Sequence, residues 1–205
     1  MSKDVDLKFT SLHMSVLQEL GNIGAGNAVT SLSEMLQRKV DMNVPKVQFL
    51  SFGEVQDALG GAEKPLAAVL VNAHSEHING IMMFLVELEN ANALVSSLMQ
   101  QPVTTLGEME FSALKEIGNI LTGSYLRSLS ELLGTSVDMS VPYLSVDMAG
   151  SILSVPAIEF AKVSDEVLFI ESVFDSDEKD LSGFFILAPD QSSFKFIFDT
   201  LGISG

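Results

Sequence analysis

One pattern of polar residues occurs twice in this 205-residue chain, with the same internal spacing each time. The two copies are Ser15, Glu19, Asn22 and Pro45, and Ser112, Glu116, Asn119 and Pro142, each 97 positions after its counterpart. Aligned at this offset, residues 15–47 and 112–144 are identical at 17 of 33 positions. The chain is therefore an internal duplication, and we expect two equivalent sites.

The duplication and the length together predict one body rather than two independent domains. A chain of 205 residues can bury a full hydrophobic core. We expect a single domain, 1–205, built from homologous halves at about 10–102 and 103–205. The second half carries a small insertion, because Gly80 aligns best with Gly183.

Charge and composition limit the classes of partner. The chain has 11 Lys and Arg against 27 Asp and Glu, a net charge of −16 that would repel nucleic acid and anionic lipid. The charge favours simple solubility, with attraction to a basic partner as the alternative. Cys is absent, which excludes disulfides and suits a reducing compartment. No apolar run has the length of a signal peptide or a membrane span, so we expect a cytoplasmic protein.

Apolar periodicity predicts a long helix at the start of each half, at about Thr10–Arg38 and Gly107–Leu133. Thr105 with Glu108 predicts a capping box for the second helix, and Gly134 predicts its end. The remaining predicted elements are strands Val40–Pro45, Leu66–Ala73, Gly80–Val86, Val137–Pro142, Val167–Val173 and Gly183–Leu187, and helices Asn90–Gln100 and Asp190–Leu201. This order predicts an α+β fold, with two long helices packed on a largely antiparallel sheet about a pseudo-twofold axis.

The repeated polar residues lie three or four positions apart, a spacing that places them on one face of a helix. We name two stripes by their members: the first stripe is Ser15, Glu19, Asn22 and Gly26, and the second stripe is Ser112, Glu116, Asn119 and Gly123. A solvated helix face is the usual explanation for such residues. Two complete copies, kept while neighbouring positions diverged, favour a functional role instead.

Glycines inside the predicted helices indicate close approach of another surface, since each costs about 1 kcal/mol relative to Ala. For Gly21 and Gly24 we expect packing between the two long helices. For Gly26 and Gly123, which belong to the stripes, we expect clearance for an incoming partner.

The stripe residues favour positioning chemistry. Asn can hold a water through its carboxamide, and Glu can pair with a partner's Lys. Neither stripe contains a His or a second carboxylate, so a nucleophilic triad or a carboxylate dyad is not available there. Hydrolytic phosphoryl transfer remains, because it needs an aligned water and charge compensation more than covalent help.

The tandem [Ser/Asp]-x3-Glu-x2-Asn-x22-Pro pattern resembles the CheC/CheX/FliY family of bacterial chemotaxis phosphatases, over essentially the whole chain. Two motifs without a flagellar-switch domain are most similar to the CheC-type members; CheX-type chains carry one motif and dimerise. The resemblance implies hydrolysis of the aspartyl phosphate of the response regulator CheY. It implies that Asn22 and Asn119 orient the attacking water, and that Glu19 and Glu116 pair with the regulator's active-site Lys.

The resemblance also has implications for the metal, for the contact residues and for the partners. The divalent metal, usually Mg²⁺, would belong to the regulator, and this chain would bind no metal or cofactor of its own. Ser15, Gly26, Ser112 and Gly123 would contact the regulator. The deamidase CheD would be a second partner, docking near Asp147, and we expect the chain to be a monomer. A non-catalytic adaptor for phosphorylated CheY or for CheD is the alternative function.

Two other patterns carry weaker signals. Residues 21–26, Gly-Asn-Ile-Gly-Ala-Gly, lack the preceding strand and the Lys of a phosphate-binding loop. His74 and His77 are of a residue type that often binds metals, but they lie in an apparent turn that has no counterpart in the second half. We expect no nucleotide site and a solvated turn.

Overall fold

The computed structural model describes residues 11–37, 39–160, 166–176 and 179–202. The helices in these ranges are α1 (Ser11–Leu36), α2 (Phe52–Ala58), α3 (Leu88–Met99), α4 (Glu108–Leu133), α5 (Ala149–Phe160) and α6 (Gln191–Thr200). The strands are β1 (Asp41–Ser51), β2 (Pro65–His74), β3 (Asn79–Glu87), β4 (Asp138–Met139), β5 (Tyr143–Met148), β6 (Glu166–Ser176) and β7 (Lys179–Pro189). The α+β prediction is confirmed.

One seven-stranded antiparallel sheet joins the two halves. Its order is β1-β6-β7-β3-β2-β4, and β5 continues the β4 edge by pairing with β2. The first strand of each half therefore pairs with a strand of the other half, β1 with β6 and β4–β5 with β2. Each half completes the sheet of its partner.

The pseudo-twofold axis passes through the middle of this sheet. Met83 of β3 lies opposite Ile186 of β7, and these two positions are equivalent in the repeat at the same offset that relates Gly80 to Gly183. On the long helices, Asn27 Nδ2 donates to Ser128 Oγ at 2.9 Å, and Ser124 Oγ donates to Ser31 Oγ at 3.1 Å. The two bonds are copies of each other, so α1 and α4 cross antiparallel about the same axis.

Both faces of the sheet are covered. One core cluster joins α1, α3, α4 and α6 to the sheet through large side chains such as Phe84, Phe185 and Leu17. A second cluster packs α2 and α5 on the opposite face, around Phe169 and Leu85. Alternate strand residues point to opposite faces, so a strand buried on both faces is apolar almost throughout, as β3 is.

Several predicted boundaries need correction. The capping box at Thr105 and Glu108 was wrong: α4 is capped at Gly107, whose N–H donates to Glu110 Oε2 at 3.0 Å. The predicted end at Gly134 is confirmed, since this residue has the left-handed φ of 61°. The strand expected at Val137–Pro142 is only β4, followed by a break and then β5.

Two helices were not predicted at all. α2 is seven residues long and contains Gly53, and α5 contains Pro156, so neither has a sustained helical pattern. Ser51 caps α2 by accepting from Glu54 N at 3.3 Å, while Glu54 Oε2 accepts from Ser51 N at 2.8 Å. The predicted residues Thr10 and Arg38 lie outside the described residues.

Candidate functional site

The stripes lie where the sequence predicts them, on the solvent side of α1 and α4. Ser15, Glu19 and Asn22 are exposed on α1, as are Ser112 and Glu116 on α4. Asn119 and Gly123 are the exceptions, because both are half-buried. The structure therefore brings the members of each stripe together on one helix face.

The serines that begin the stripes are anchored in the same way. Ser15 Oγ donates to Ser11 O at 3.0 Å, and Ser112 Oγ donates to Glu108 O at 2.9 Å. Each hydroxyl hydrogen is thus used by the preceding turn of its own helix. The oxygen lone pairs remain available to accept from a docking partner.

The two stripes lie at opposite ends of the α1–α4 pair. The axis crosses the helices near Val29 and Leu126, the midpoints between the two copied hydrogen bonds. Asn22 and Asn119 each lie seven residues before that point, on helices that run in opposite directions. At a rise of about 1.5 Å per residue, the two Asn residues are about 21 Å apart along the helices. The two stripes are therefore separate surfaces.

The glycines serve different purposes at the two sites. A Cβ on Gly24 would lie 2.6 Å from Tyr125 Cε1, and one on Gly118 would lie 2.8 Å from Val69 Cγ1. The expected helix–helix packing is therefore found at Gly24, whereas Gly118 packs on β2. A Cβ on Gly26 would meet nothing within 4 Å, so the first stripe is open there, as expected for clearance.

The second stripe is partly covered. A Cβ on Gly123 would lie 3.5 Å from Met139 Cε, so the β4 side chain reaches over this part of α4. The side-chain oxygen Oδ1 of Asn119 is buried and has no hydrogen-bond partner among the described residues. An oxygen in that condition costs free energy until a donor reaches it. The second stripe therefore holds an acceptor that no donor satisfies in the free protein.

A groove of about 440 Å³ runs beside the second stripe, between α1 and α4. Its walls include Asn119, Gly123 and Arg127 on α4, Glu34 on α1, and Met139 on β4. Sequence reasoning missed Arg127 and Met139 as parts of this site. Arg127 could have been found, because it lies four and eight residues after Gly123 and Asn119 and so shares their face.

Asp147, predicted as a partner contact, has a structural role at the start of α5. Its carboxylate accepts from Met148 N at 2.7 Å and from Ser151 Oγ at 2.8 Å. These two hydrogen bonds, the backbone one first, hold the pKa of Asp147 below its ordinary value. Beside it, Tyr143 and Met148 are exposed on β5.

The histidines lie apart from the stripes. His74 and His77 flank the β2–β3 turn, where His77 stacks on Phe196 at a centroid distance of 4.5 Å. His13 is buried on α1 against Phe198. Over the described part of the chain, no group of three or more His, Asp or Glu side chains is arranged to hold a metal ion. No helix in those same ranges is long and apolar enough to cross a membrane.

Comparison of the sequence with known proteins finds a matching family and a similar full-length protein. The model of the CheC-like family matches residues 12–48 and 109–146, which are the two long helices with the strands that follow them. The CheY-P phosphatase CheC of Bacillus subtilis (strain 168) is 37% identical over 198 residues, covering 93% of this chain and 94% of its own.

Solved structures support the same fold. FliY of Thermotoga maritima superposes with a TM-score of 0.77 at 22% identity, covering 97% of this chain and 100% of its own. CheX from the CheX–CheY–BeF3–Mg²⁺ complex of Borrelia burgdorferi has a TM-score of 0.53 at 16% identity, covering 84% and 97%. With the repeated motif and the strand-exchanged sheet, these similarities show that the chain belongs to the CheC-like family.

Proposed function

We propose that this protein is a phosphatase that hydrolyses the aspartyl phosphate of the response regulator CheY. The observation that carries the proposal is the pair of twofold-related stripes, each presenting Glu and Asn on an exposed helix face. A relative that is 37% identical over nearly the whole chain is named a CheY-P phosphatase. The stripes supply the two functions such a reaction needs, an oriented water and a charge that pairs with the regulator.

In the proposed reaction, each Asn carboxamide orients a water in line with the phosphorus–oxygen bond to the aspartate. The water oxygen bonds to phosphorus while that bond breaks, which releases inorganic phosphate and restores the regulator's carboxylate. Glu19 and Glu116 draw the regulator's Lys away from the phosphoryl group by forming ion pairs with it. The divalent cation, Mg²⁺, belongs to the regulator, and this chain binds no cofactor.

The unpartnered oxygen of Asn119 supports this role. Asn cannot act as an acid or a base near neutral pH, but its oxygen can accept a hydrogen bond from the attacking water. Because Oδ1 is covered in the free protein, the Asn119 side chain would have to turn on docking to reach the water. Asn22 is exposed and needs no such movement.

CheD is a proposed second partner, at the β5 edge near Asp147. Three apolar side chains are exposed along that strand, those of Tyr143, Val146 and Met148. A non-catalytic adaptor that binds phosphorylated CheY would use the stripes as well. Turnover separates the adaptor from the phosphatase, because an adaptor would slow the loss of phosphate or leave it unchanged.

The test is the rate of phosphate loss from purified phosphorylated CheY, with and without this protein. We expect acceleration by the wild type, a smaller effect for Asn22→Ala or Asn119→Ala, and none for the double variant. Misplacing the water typically costs about 10²-fold in rate. Circular dichroism should show the double variant folded. A double variant that keeps most of the wild-type rate would remove Asn from the mechanism.

A further inference from the structure

The groove beside the second stripe has one charge that the equivalent positions beside the first stripe lack. The groove next to Asn119 is lined by Gly123, Arg127, Ser31 and Glu34. The positions equivalent to these four are Gly26, Thr30, Ser128 and Glu131. Three of the four are kept between the copies, and only Arg127 against Thr30 changes the charge. The groove of the second stripe therefore gains one positive charge.

Arg127 is placed to use that charge on a docking partner. It is exposed, and it forms neither an ion pair nor a hydrogen bond with another described residue. With Asn119 and Gly123 it lies on one face of α4 at four-residue spacing. A guanidinium is the side chain best suited to pair with a carboxylate through two parallel hydrogen bonds.

The distance along α4 decides which anion Arg127 meets. Arg127 lies eight residues, or about 12 Å, beyond Asn119 along the helix axis. If Asn119 reaches the water at the phosphoryl group, Arg127 contacts the partner's surface beside that pocket and not the phosphoryl oxygens. The matching group is then a carboxylate of the regulator.

We infer that Arg127 is a docking residue specific to the second site, pairing with a carboxylate that borders the regulator's phosphorylation pocket. The first site lacks this contact, because Thr30 occupies the equivalent position and its hydroxyl donates to Gly26 O at 3.0 Å. This inference rests on the proposed function. The Arg127 contact thus makes binding at the second site tighter than it would be without it, and more dependent on salt.

The test isolates each site and transfers the charge between them. Glu19→Lys leaves the second site, and Glu116→Lys leaves the first. Regulator loaded with beryllium trifluoride and Mg²⁺ is titrated onto each. On the second site, Arg127→Thr should weaken binding about two- to fivefold, the range for an exposed ion pair. On the first site, Arg127→Thr should change nothing, and Thr30→Arg should strengthen binding by a similar factor.

Salt and phosphorylation state identify the partner group. The loss caused by Arg127→Thr should shrink between about 0.1 M and 1 M salt, because the Debye length falls from about 10 Å to about 3 Å. The same fold-loss should appear with unloaded regulator. A loss confined to the loaded regulator would assign Arg127 to the phosphoryl group and overturn the carboxylate assignment.

A control separates this contact from net charge. Lys46 is exposed on β1, next to Val47, which points into the α1–α4 core, so Lys46 points to the opposite face of the sheet. Lys46→Thr removes the same charge and should leave both affinities unchanged. If the wild type hydrolyses the phosphate but Arg127→Thr binds the regulator with wild-type affinity, this inference alone is overturned. A wild type that neither binds loaded regulator nor releases phosphate would overturn the proposed function as well.

Discussion

The ring of Tyr125 on α4 occupies the space that a side chain at Gly24 on α1 would need. At the twofold-related positions, Leu121 corresponds to Gly24 and Ala28 corresponds to Tyr125. The larger residue of each pair is therefore at a different position in the two halves. Both pairs lie on the buried side of the helices. In both pairs, a large side chain on one long helix is therefore matched by a small residue on the other.

This relationship predicts opposite effects for two neighbouring glycines. Gly24→Ala should destabilise the fold by about 1–3 kcal/mol, because the new methyl overlaps the Tyr125 ring. Gly26→Ala should stabilise it by up to about 1 kcal/mol, since its Cβ meets nothing and Ala favours the helix. Urea unfolding of both variants measures the difference.

A double variant checks the cause. Gly24→Ala with Tyr125→Leu replaces the ring that the new methyl would overlap with a smaller side chain, so it should recover part of the stability lost in Gly24→Ala. No recovery would mean that the cost comes from the backbone and not from the ring. Gly26→Ala should also slow phosphate release at the first site, where we propose that this glycine gives clearance.

The stripe glutamates should report on docking. If they pair with the regulator's Lys, Glu19→Lys with Glu116→Lys should weaken binding of phosphorylated regulator more than tenfold, because like charges then meet. Glu63→Lys makes the same charge change as either single substitution, in an exposed loop before β2, and serves as the control for each of them. Calorimetric titration gives both affinities; equal values for all the proteins would place the glutamates outside the interface.

The number of working sites is a separate prediction. Two stripes about 21 Å apart on antiparallel helices should engage two regulators per chain, with different affinities because Arg127 of the second site has Thr30 as its counterpart. Titration of regulator loaded with beryllium trifluoride should approach a ratio of two. A ratio of one, with all turnover lost in a single Glu→Lys variant, would make the other stripe a relic.

Asp190 should contribute pH-dependent stability at the start of α6. Its Oδ1 accepts from Ser193 N at 2.7 Å and from Ser192 Oγ at 2.8 Å. Burial raises the pKa of Asp190, but the hydrogen bonds from Ser193 and Ser192 outweigh burial and leave the pKa below its ordinary value. Asp190→Ala should cost about 1–2 kcal/mol near neutral pH, as for other helix caps.

The sign follows from the lowered pKa. A carboxyl group with a lower pKa in the folded state stabilises the fold above its unfolded pKa of about 3.9, and the contribution is lost as pH falls through the folded value. The gap between wild type and Asp190→Asn should therefore close in acid. Asp57→Ala, an exposed carboxyl change in α2, should shift unfolding by less than about 0.5 kcal/mol at either pH.

The long helices and the stripes could be predicted because the repeat shows them twice. Features that occur only once in the sequence could not be predicted where contacts between distant segments determine the structure. α5 packs Leu153 into the second core despite Pro156 in its sequence, and no local pattern predicts that a helix forms there. Met139 reaches Gly123 only because β4 pairs with β2 at Ala73, a contact between distant segments.

The pairing partners of the strands could not be predicted from the sequence either. Repeat offsets identify equivalent strands, but they do not say whether a strand pairs within its own half. The exchange of β1 and β4–β5 follows from closing one sheet around the axis. Likewise, the hydrogen bond from Ser151 to Asp147 depends on a helix, α5, that the sequence did not predict.

The exchanged strands also affect how the chain is made. The first residue of β6 follows the first residue of β1 by 125 positions, and β1 pairs with β6. At ribosomal rates of about 5–20 residues per second, that separation is about 6 to 25 seconds of synthesis. During this interval β1 presents an open strand edge, the feature most prone to pair with other chains. The nascent N-terminal half is thus complete in sequence well before the strand that closes its edge has been translated.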